Sequence, residues 1–135
     1  MEKITAQEAL RRFAKRYKEK VISGERKNLI GLDLNDYASV FRRGSDVTIL
    51  EYYQNEDSLA GTLMNYKQEI MEQVEGATDI MLQVIAVKSH VLMMEDLSEL
   101  AAFVDLLGED INFYWGIEYE ETTKFKVKIE VYIIR

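Results

Sequence analysis

The sequence predicts an α+β domain, with a mixed four-stranded sheet, two crossover helices on one face of the sheet and a preceding N-terminal helix. Four segments have the β-branched and aromatic composition or the alternation of strands, beginning near Val47, Asp79, Ile111 and Phe125. Two amphipathic segments separate the first three strands, and right-handed crossovers would place both on the same face. The 135 residues contain no proline and no cysteine, which favours one unit without linkers or disulfides.

The N-terminal segment predicts a basic amphipathic helix. Thr5 and Glu8 have the spacing of a capping box, and Gly24 is a helix stop signal. One stripe is apolar and consists of Ala6, Leu10, Phe13, Tyr17 and Val21. The basic surface of the helix includes Arg11, Arg12, Lys15 and Arg16. We therefore divide the chain into a helix at 1–27 and an α+β unit at 28–135.

The next segments predict a loop, a short helix and a first strand. Leu29 to Leu34 has no clear period and reads as a loop, and a helix from about Asp36 ends at Gly44. The residue type of Asp36 suits an N-cap. The segment that follows, 47–53, is rich in β-branched and aromatic residues, as is typical of a strand.

The middle of the chain predicts two helices around a central strand. The first helix runs from about Asp57 to Glu75, and its spacing predicts that it buries Leu59, Leu63, Tyr66, Ile70 and Val74. Residues 79–87 are almost continuously apolar, which indicates a strand covered on both faces. A second capped helix opens at Asp96 and stops at Gly108.

The last two strands alternate strictly and predict a closing hairpin with one buried and one solvated face. The expected buried residues are Ile111, Phe113, Trp115, Ile117, Tyr119, Phe125, Val127, Ile129, Val131 and Ile133. Lysines of the second strand would face glutamates of the first across the hairpin. The three glutamates Glu118, Glu120 and Glu121 are expected at a solvated tip, in preference to a cation site.

The charge is unevenly distributed. Residues 1–43 hold 11 basic and 6 acidic residues, a net charge of +5, whereas residues 44–135 hold 6 basic and 18 acidic residues, a net charge of −12. The overall charge of −7 argues against a nucleic-acid partner. The basic helix either folds back on the acidic body of its own chain or meets another copy in a homo-oligomer.

Some classes of site and location are disfavoured by composition. His90 is the single histidine and the chain has no cysteine, so we expect no metal site. No segment has the apolar length of a membrane span or the core of a signal peptide. We therefore expect a soluble, cytoplasmic protein.

Several short motifs in this order resemble the C-terminal domain of the tubulin/FtsZ family, from about Asn28 to Ile134. Residues 29–36, Leu-Ile-Gly-Leu-Asp-Leu-Asn-Asp, resemble the family's synergy loop, an Asn-x-Asp-x-x-Asp segment after the long central helix. Gly-Ala-Thr-Asp at 76–79 resembles the family's turn into its next strand, Asp-Leu-Ser-Glu-Leu at 96–100 the start of its following helix, and Asn-Phe-Tyr-Trp-Gly at 112–116 its closing hairpin. The alternative is an unrelated ferredoxin-like α+β sandwich.

The resemblance implies a set of partner-binding residues and the absence of the family's GTP-binding half. In the family, two aspartates of the synergy loop enter the GTP site of the next subunit, and Asp33 and Asp36 take their positions here, while Gly31 replaces the family's asparagine. Either these aspartates act on a partner's nucleotide or Asp36 caps the following helix. With Arg42 and Arg43 they form the predicted partner-binding set.

The family's Gly-rich phosphate loop has no counterpart, because the closest glycines, Gly24 and Gly31, are seven positions apart. We therefore expect no catalysis and no cofactor. The expected role is a protein-interaction module whose partner is itself or an FtsZ/tubulin-like filament. A further alternative is a small-ligand sensor with a pocket near Tyr52, Tyr53, Tyr114 and Trp115.

Overall fold

Six strands and five helices make up the described part of the chain in the computed structural model, which covers residues 1–22, 29–31, 34–54, 58–87, 89, 92–108, 110–121 and 124–135. The strands are β1 (Glu2–Thr5), β2 (Leu29–Gly31), β3 (Asp46–Tyr53), β4 (Asp79–Val87), β5 (Asn112–Glu120) and β6 (Val127–Ile134). The helices are α1 (Ala6–Ile22), α2 (Leu34–Arg42), α3 (Leu59–Asn65), α4 (Lys67–Val74) and α5 (Met94–Asp105).

The strands form one mixed sheet in the order β1-β3-β6-β4-β5-β2. Only β4 and β5 are parallel neighbours, and the other pairs are antiparallel. The predicted α+β class and mixed sheet are confirmed, but the sheet has six strands and not four. The prediction of a loop from Leu29 to Leu34 is wrong, because Leu29–Gly31 pairs with β5. Both additional strands are short edge strands, too short to carry a periodic signal.

The predicted closing hairpin is also wrong. β4 lies between β5 and β6, so the two alternating strands are not neighbours. β6 pairs antiparallel with β3 on one side and with β4 on the other. This pairing gives hydrogen-bond partners to the backbone N–H and C=O groups of a strand that is buried at both faces. Lys128 therefore contacts Glu51 of β3 at 3.2 Å and not a glutamate across a hairpin. Alternation reports which face a side chain occupies and carries no information on the neighbouring strand.

Helices cover both faces of the sheet. On the side that we call the α5 side, α3, α4 and α5 pack on one core cluster, which includes Leu50, Leu63, Leu82, Leu100 and Ile129. On the opposite side, the α1 side, α1 and α2 pack on a second cluster, which includes Phe13, Phe41, Ile49, Met81 and Tyr132. The two crossover segments share one face, as predicted, and β4 is buried along almost its whole length.

On the α5 side, the helix boundaries differ from the sequence prediction in two places. The helix predicted from Asp57 to Glu75 is broken at Tyr66, where the backbone has φ −113° and ψ 15°, into α3 and α4. Tyr66 is therefore exposed and stacks on Tyr52 with ring centroids 4.4 Å apart, whereas the other four predicted apolar positions are buried. α5 begins two residues before Asp96, whose carboxylate accepts a hydrogen bond from the Met93 amide at 2.9 Å.

The N-terminal helix begins as predicted. The Glu8 amide donates to the Thr5 hydroxyl oxygen at 3.1 Å, which is one half of the capping box. The Glu8 carboxylate instead pairs with Arg11 and Arg12. α2 begins at Leu34, so Asp36 lies inside its first turn, and the prediction that Asp36 is the N-cap is wrong.

Candidate functional site

The most polar part of the interior lies between α1 and the sheet. Strand alternation places Glu118 of β5 and Glu130 of β6 on the α1 side, where their side chains are only 2% and 7% exposed. Arg16, on the inward side of α1, reaches both of them. We refer to Arg16, Glu118, Lys128, Glu130 and Tyr132 as the Arg16 cluster.

Arg16 bridges the two carboxylates with separate nitrogens. Its Nε lies 3.2 Å from Glu118 Oε1, and its Nη2 donates to Glu130 Oε1 at 2.9 Å. Glu130 Oε1 also accepts from the Tyr132 hydroxyl at 2.9 Å, and Glu130 Oε2 lies 3.5 Å from Lys128 Nζ. Two buried negative charges are thus compensated by one guanidinium and one ammonium group, as burial of charge requires.

The electrostatics of the cluster follow from this geometry. Burial opposes the charge of Arg16, but Glu130 and Glu118 together raise the pKa of its guanidinium above the ordinary value. Burial and the neighbouring Glu130 raise the pKa of the Tyr132 hydroxyl, so that it stays protonated as a donor. The pKa of Lys128 is also raised, because Glu130 and Glu51 outweigh the effect of burial. All of these shifts hold the groups in their paired forms.

The Arg16 cluster overturns two sequence predictions. The alternation of β5 and β6 predicted one solvated face, but α1 covers the centre of that face and buries Glu118 and Glu130. Glu118 was also expected at a solvated hairpin tip and is instead interior. One available signal was Glu130 itself, an acidic residue inside the apolar run that ends the chain. Its partner, Arg16, becomes apparent only in the structure, where α1 packs on the sheet.

A second polar group anchors α2 to the start of β4. The Asp79 carboxylate, 1% exposed, lies 2.9 Å from Arg43 Nη2. It also accepts from the Thr78 hydroxyl at 2.8 Å and from the Asn112 amide at 3.3 Å. Arg43 donates to the Tyr114 hydroxyl as well, and its guanidinium lies 5.6 Å from the centre of that ring. The hydrogen bond that Arg43 donates to Asp79 is the main cause of the raised pKa of the Arg43 guanidinium.

The structure separates the predicted partner-binding residues. Arg43 is engaged by Asp79, whereas Arg42 is exposed in the last turn of α2. Gly31 pairs with Gly116 at the edge of the sheet, and Asp36 lies in the first turn of α2. Asp33 lies outside the described residues, as do the predicted stop Gly24 and His90.

The predicted basic surface of α1 is partly neutralised within the chain. Arg11 pairs with Glu8 at 2.6 Å, and Arg12 pairs with Glu2 at 2.8 Å. These contacts are solvated, so they contribute little to the stability of the fold. Arg16 folds back on the acidic body as described above. Lys15 is exposed and has no ion pair to any of the residues that the structure describes.

The aromatic residues of the sensor alternative do not come together. Tyr52 and Trp115 face the α5 side, whereas Tyr114 faces the α1 side. Tyr53 follows Tyr52 in β3 and therefore also points away from the α5 side. β3 and β5 are separated by two strands, which places Tyr52 and Trp115 about 14 Å apart at strand spacing. The four side chains therefore do not form one pocket.

The Arg16 cluster has little room for a ligand. A cavity of about 100 Å³ lies beside it, lined by residues of β1, α1 and the sheet that include Glu2, Arg12 and Glu51. Small-molecule sites usually have about 300–1,000 Å³. Among the described residues, no group of three or more histidine and acidic side chains is placed to hold a metal ion. The arrangement supports a structural ion-pair cluster that fixes α1 on the sheet.

The mixed sheet with crossover helices on one face defines an α+β domain of the type found in the C-terminal part of FtsZ, which confirms the resemblance drawn from the sequence. A tryptophan-to-tyrosine mutant of FtsZ from M. jannaschii aligns with a TM-score of 0.62 and 18% identity, over 92% of this chain and 40% of that chain. The empty FtsZ dimer from M. jannaschii aligns with a TM-score of 0.56 and 18% identity, over 78% of this chain and 32% of that chain.

At this identity the similarity concerns the fold. The chain spans a third to two-fifths of the length of the FtsZ chains that it matches. No family model matches the sequence, and neither does any curated protein. In the part of the chain that the structure describes, no helix is both long enough and apolar enough to cross a bilayer.

Proposed function

We propose that this chain is a non-catalytic interaction module that associates with an FtsZ/tubulin-type filament. The observation that carries the proposal is the FtsZ-like fold, which extends over 92% of the chain. The sequence offers no Gly-rich segment with which to hold the phosphates of a nucleotide. We place the protein in the cytoplasm, where such filaments assemble.

The mechanism rests on the resemblance. Filaments of the family stack head to tail, so that the C-terminal domain of one subunit covers the nucleotide face of the next. A domain of this shape without its own nucleotide half would occupy an exposed filament end and block further growth. The contacts would come from the predicted set around α2, namely Gly31, Asp33, Asp36, Arg42 and Arg43.

Within that set, Arg42 is the residue to test. Arg43 is held by Asp79, so its replacement would also disturb the anchor of α2. Arg42 is exposed at the C-terminal end of the same helix, where its charge can meet an acidic or phosphate-bearing surface. Its replacement by glutamine removes one exposed charge and leaves the core contacts in place.

The test adds the purified chain in excess to FtsZ from the same cell and follows assembly by light scattering together with GTP turnover. We expect both to fall, and Arg42→Gln to weaken the effect. Lys126→Gln, at an exposed position beside β6, is the matched control and should act like the wild type. Unchanged assembly and turnover at every excess of the chain would rule out the proposal.

A second candidate function is self-assembly into a homo-oligomer. The observation that favours it is the separation of charge along the chain, +5 over residues 1–43 and −12 over residues 44–135. Opposite charge on two regions of one chain permits each copy to attract the next. Such an oligomer would dissociate as salt is raised.

A further inference from the structure

The two helical layers of this domain carry opposite charge on their outer surfaces. On the α5 side, α4 and α5 contain six acidic residues and one lysine. Five of the six carboxylates are exposed, those of Glu69, Glu72, Glu95, Glu99 and Asp105. On the α1 side, α1 contains six basic and two acidic residues, and one of the basic residues, Arg16, is turned inward to the sheet. The sheet separates the two layers, so they face away from each other.

The acidic layer also exposes large apolar side chains. Met64 is 46% exposed, Met71 41% and Met94 77%, and Leu106 just beyond α5 is 54% exposed. Unbranched methionine side chains adapt to different partner surfaces. A layer that combines exposed methionines with carboxylates fits a basic amphipathic surface, which supplies both apolar stems and positive charge.

The α1 side of the same chain presents such a basic amphipathic surface. Lys15 and Lys18 are three positions apart on α1, both exposed, and have no ion pair to other residues in the described ranges. Arg11 and Arg12 lie one turn before them, in solvated pairs with Glu8 and Glu2. These side chains present long apolar stems below their charges.

We infer that the α5 side of one copy docks on the α1 side of the next, so that copies stack head to tail through their two helical layers. The partner is a second copy of this chain, since it carries the complementary charge. Contact between two α5 sides, or between two α1 sides, would bring like charges together. A contact between two different faces does not close by itself and continues into an open stack. This inference rests on the self-assembling candidate function and names the surfaces that it would use.

The experiment is a charge-reversal complementation. Variant A carries Lys15→Glu and Lys18→Glu, so that α1 has four basic and four acidic residues and loses its excess of positive charge. Variant B carries Glu72→Lys and Glu99→Lys, which reverses part of its acidic layer. We expect wild-type oligomers that grow with concentration in sedimentation velocity, and loss of these oligomers when NaCl rises from about 0.1 to about 1 M and the Debye length falls from about 10 to about 3 Å.

We expect A alone and B alone to remain monomeric, and an equimolar mixture to regain the oligomers, because the glutamates introduced in A then meet the lysines introduced in B, while the unaltered α5 side of A meets the unaltered α1 side of B. The double variant Lys124→Glu with Lys126→Glu has the same change in net charge as A but lies outside both layers, and should assemble like the wild type. Far-UV circular dichroism checks that every variant is folded.

The outcomes separate the two ideas. A wild-type chain that is monomeric at all concentrations and salt levels overturns both the stacking and the self-assembling function. A salt-sensitive oligomer that A or B still forms, or that the mixture fails to restore, overturns the stacking and leaves self-assembly through other surfaces. Oligomers that appear only when another basic protein is added overturn the choice of a second copy as partner.

Discussion

Replacement of Arg16 by methionine should be among the most destabilising single changes on the surface of α1. The methionine keeps most of the apolar stem and removes the guanidinium that lies 3.2 Å from Glu118 Oε1 and 2.9 Å from Glu130 Oε1. Both carboxylates are almost fully buried, so solvent cannot replace the lost partner. The variant would retain two buried negative charges, one on β5 and one on β6, and of these Glu130 keeps Lys128 as a charge partner.

The size of the effect follows from this loss. Removal of one partner from a buried ion pair costs about 3–5 kcal/mol. Here the Arg16 side chain is 30% exposed, and Glu130 keeps Tyr132 and Lys128, so we expect a somewhat smaller cost, about 2–4 kcal/mol. With a urea m-value of about 2 kcal/mol per molar, the unfolding midpoint should fall by about 1–2 M.

The assay is urea unfolding followed by far-UV circular dichroism, with Arg11→Met as the matched control. Arg11 is 65% exposed and pairs with Glu8 only at the surface, so its loss should change the unfolding midpoint far less than the loss of Arg16. Adding Glu118→Gln and Glu130→Gln to Arg16→Met removes the two buried charges that Arg16 compensates and should restore at least half of the lost stability. If Arg16→Met costs no more than Arg11→Met, the cluster does not hold α1 on the sheet.

Two further changes test other parts of the structure. Since burial and Glu130 raise the pKa of Tyr132 above its usual 10.0, the folded state keeps this proton longer than the unfolded chain. Stability from this group is therefore complete below about pH 10 and is lost above it, by up to about 1.4 kcal/mol per pH unit. Tyr132→Phe should reduce that alkaline loss in urea titrations, and an unchanged slope would contradict the assignment. Gly44→Ala places a methyl group against the Cγ2 of buried Ile134 and the carbonyl of Arg135, so thermal unfolding should show a loss of about 1–3 kcal/mol. Ser45→Ala, one residue further at an exposed position, is its control and should change little.

Local patterns predicted much of the secondary structure and the class of the fold. β4 is a continuous apolar run, and the structure buries it between helices on both sides. Thr5 and Glu8 marked the start of α1, and the glycines at 44 and 108 follow helices as predicted. These features depend on neighbours within a few positions along the chain, where hydrogen-bonding and periodicity constraints are visible in the sequence.

The candidate site was much less predictable. Arg42 and Arg43 are adjacent in sequence, but only the start of β4 decides that Arg43 is held by Asp79 while Arg42 stays exposed. Glu118 and Glu130 had the alternation of solvated residues, and the docking of α1 reversed that interpretation. Asp33 lies outside the described residues, so its predicted role in partner binding stays a prediction.

By itself, the sequence determined the α+β class, the faces of the long strands, the charge asymmetry and the likeness to the FtsZ C-terminal domain. The tertiary structure decided the strand order, the two edge strands β1 and β2, and the partners of the buried charges. The physical reason is the distance along the chain between the residues that interact. Periodicity and caps arise from interactions between residues near in sequence, whereas Arg16 and Glu130 are 114 positions apart and meet only after the sheet has formed.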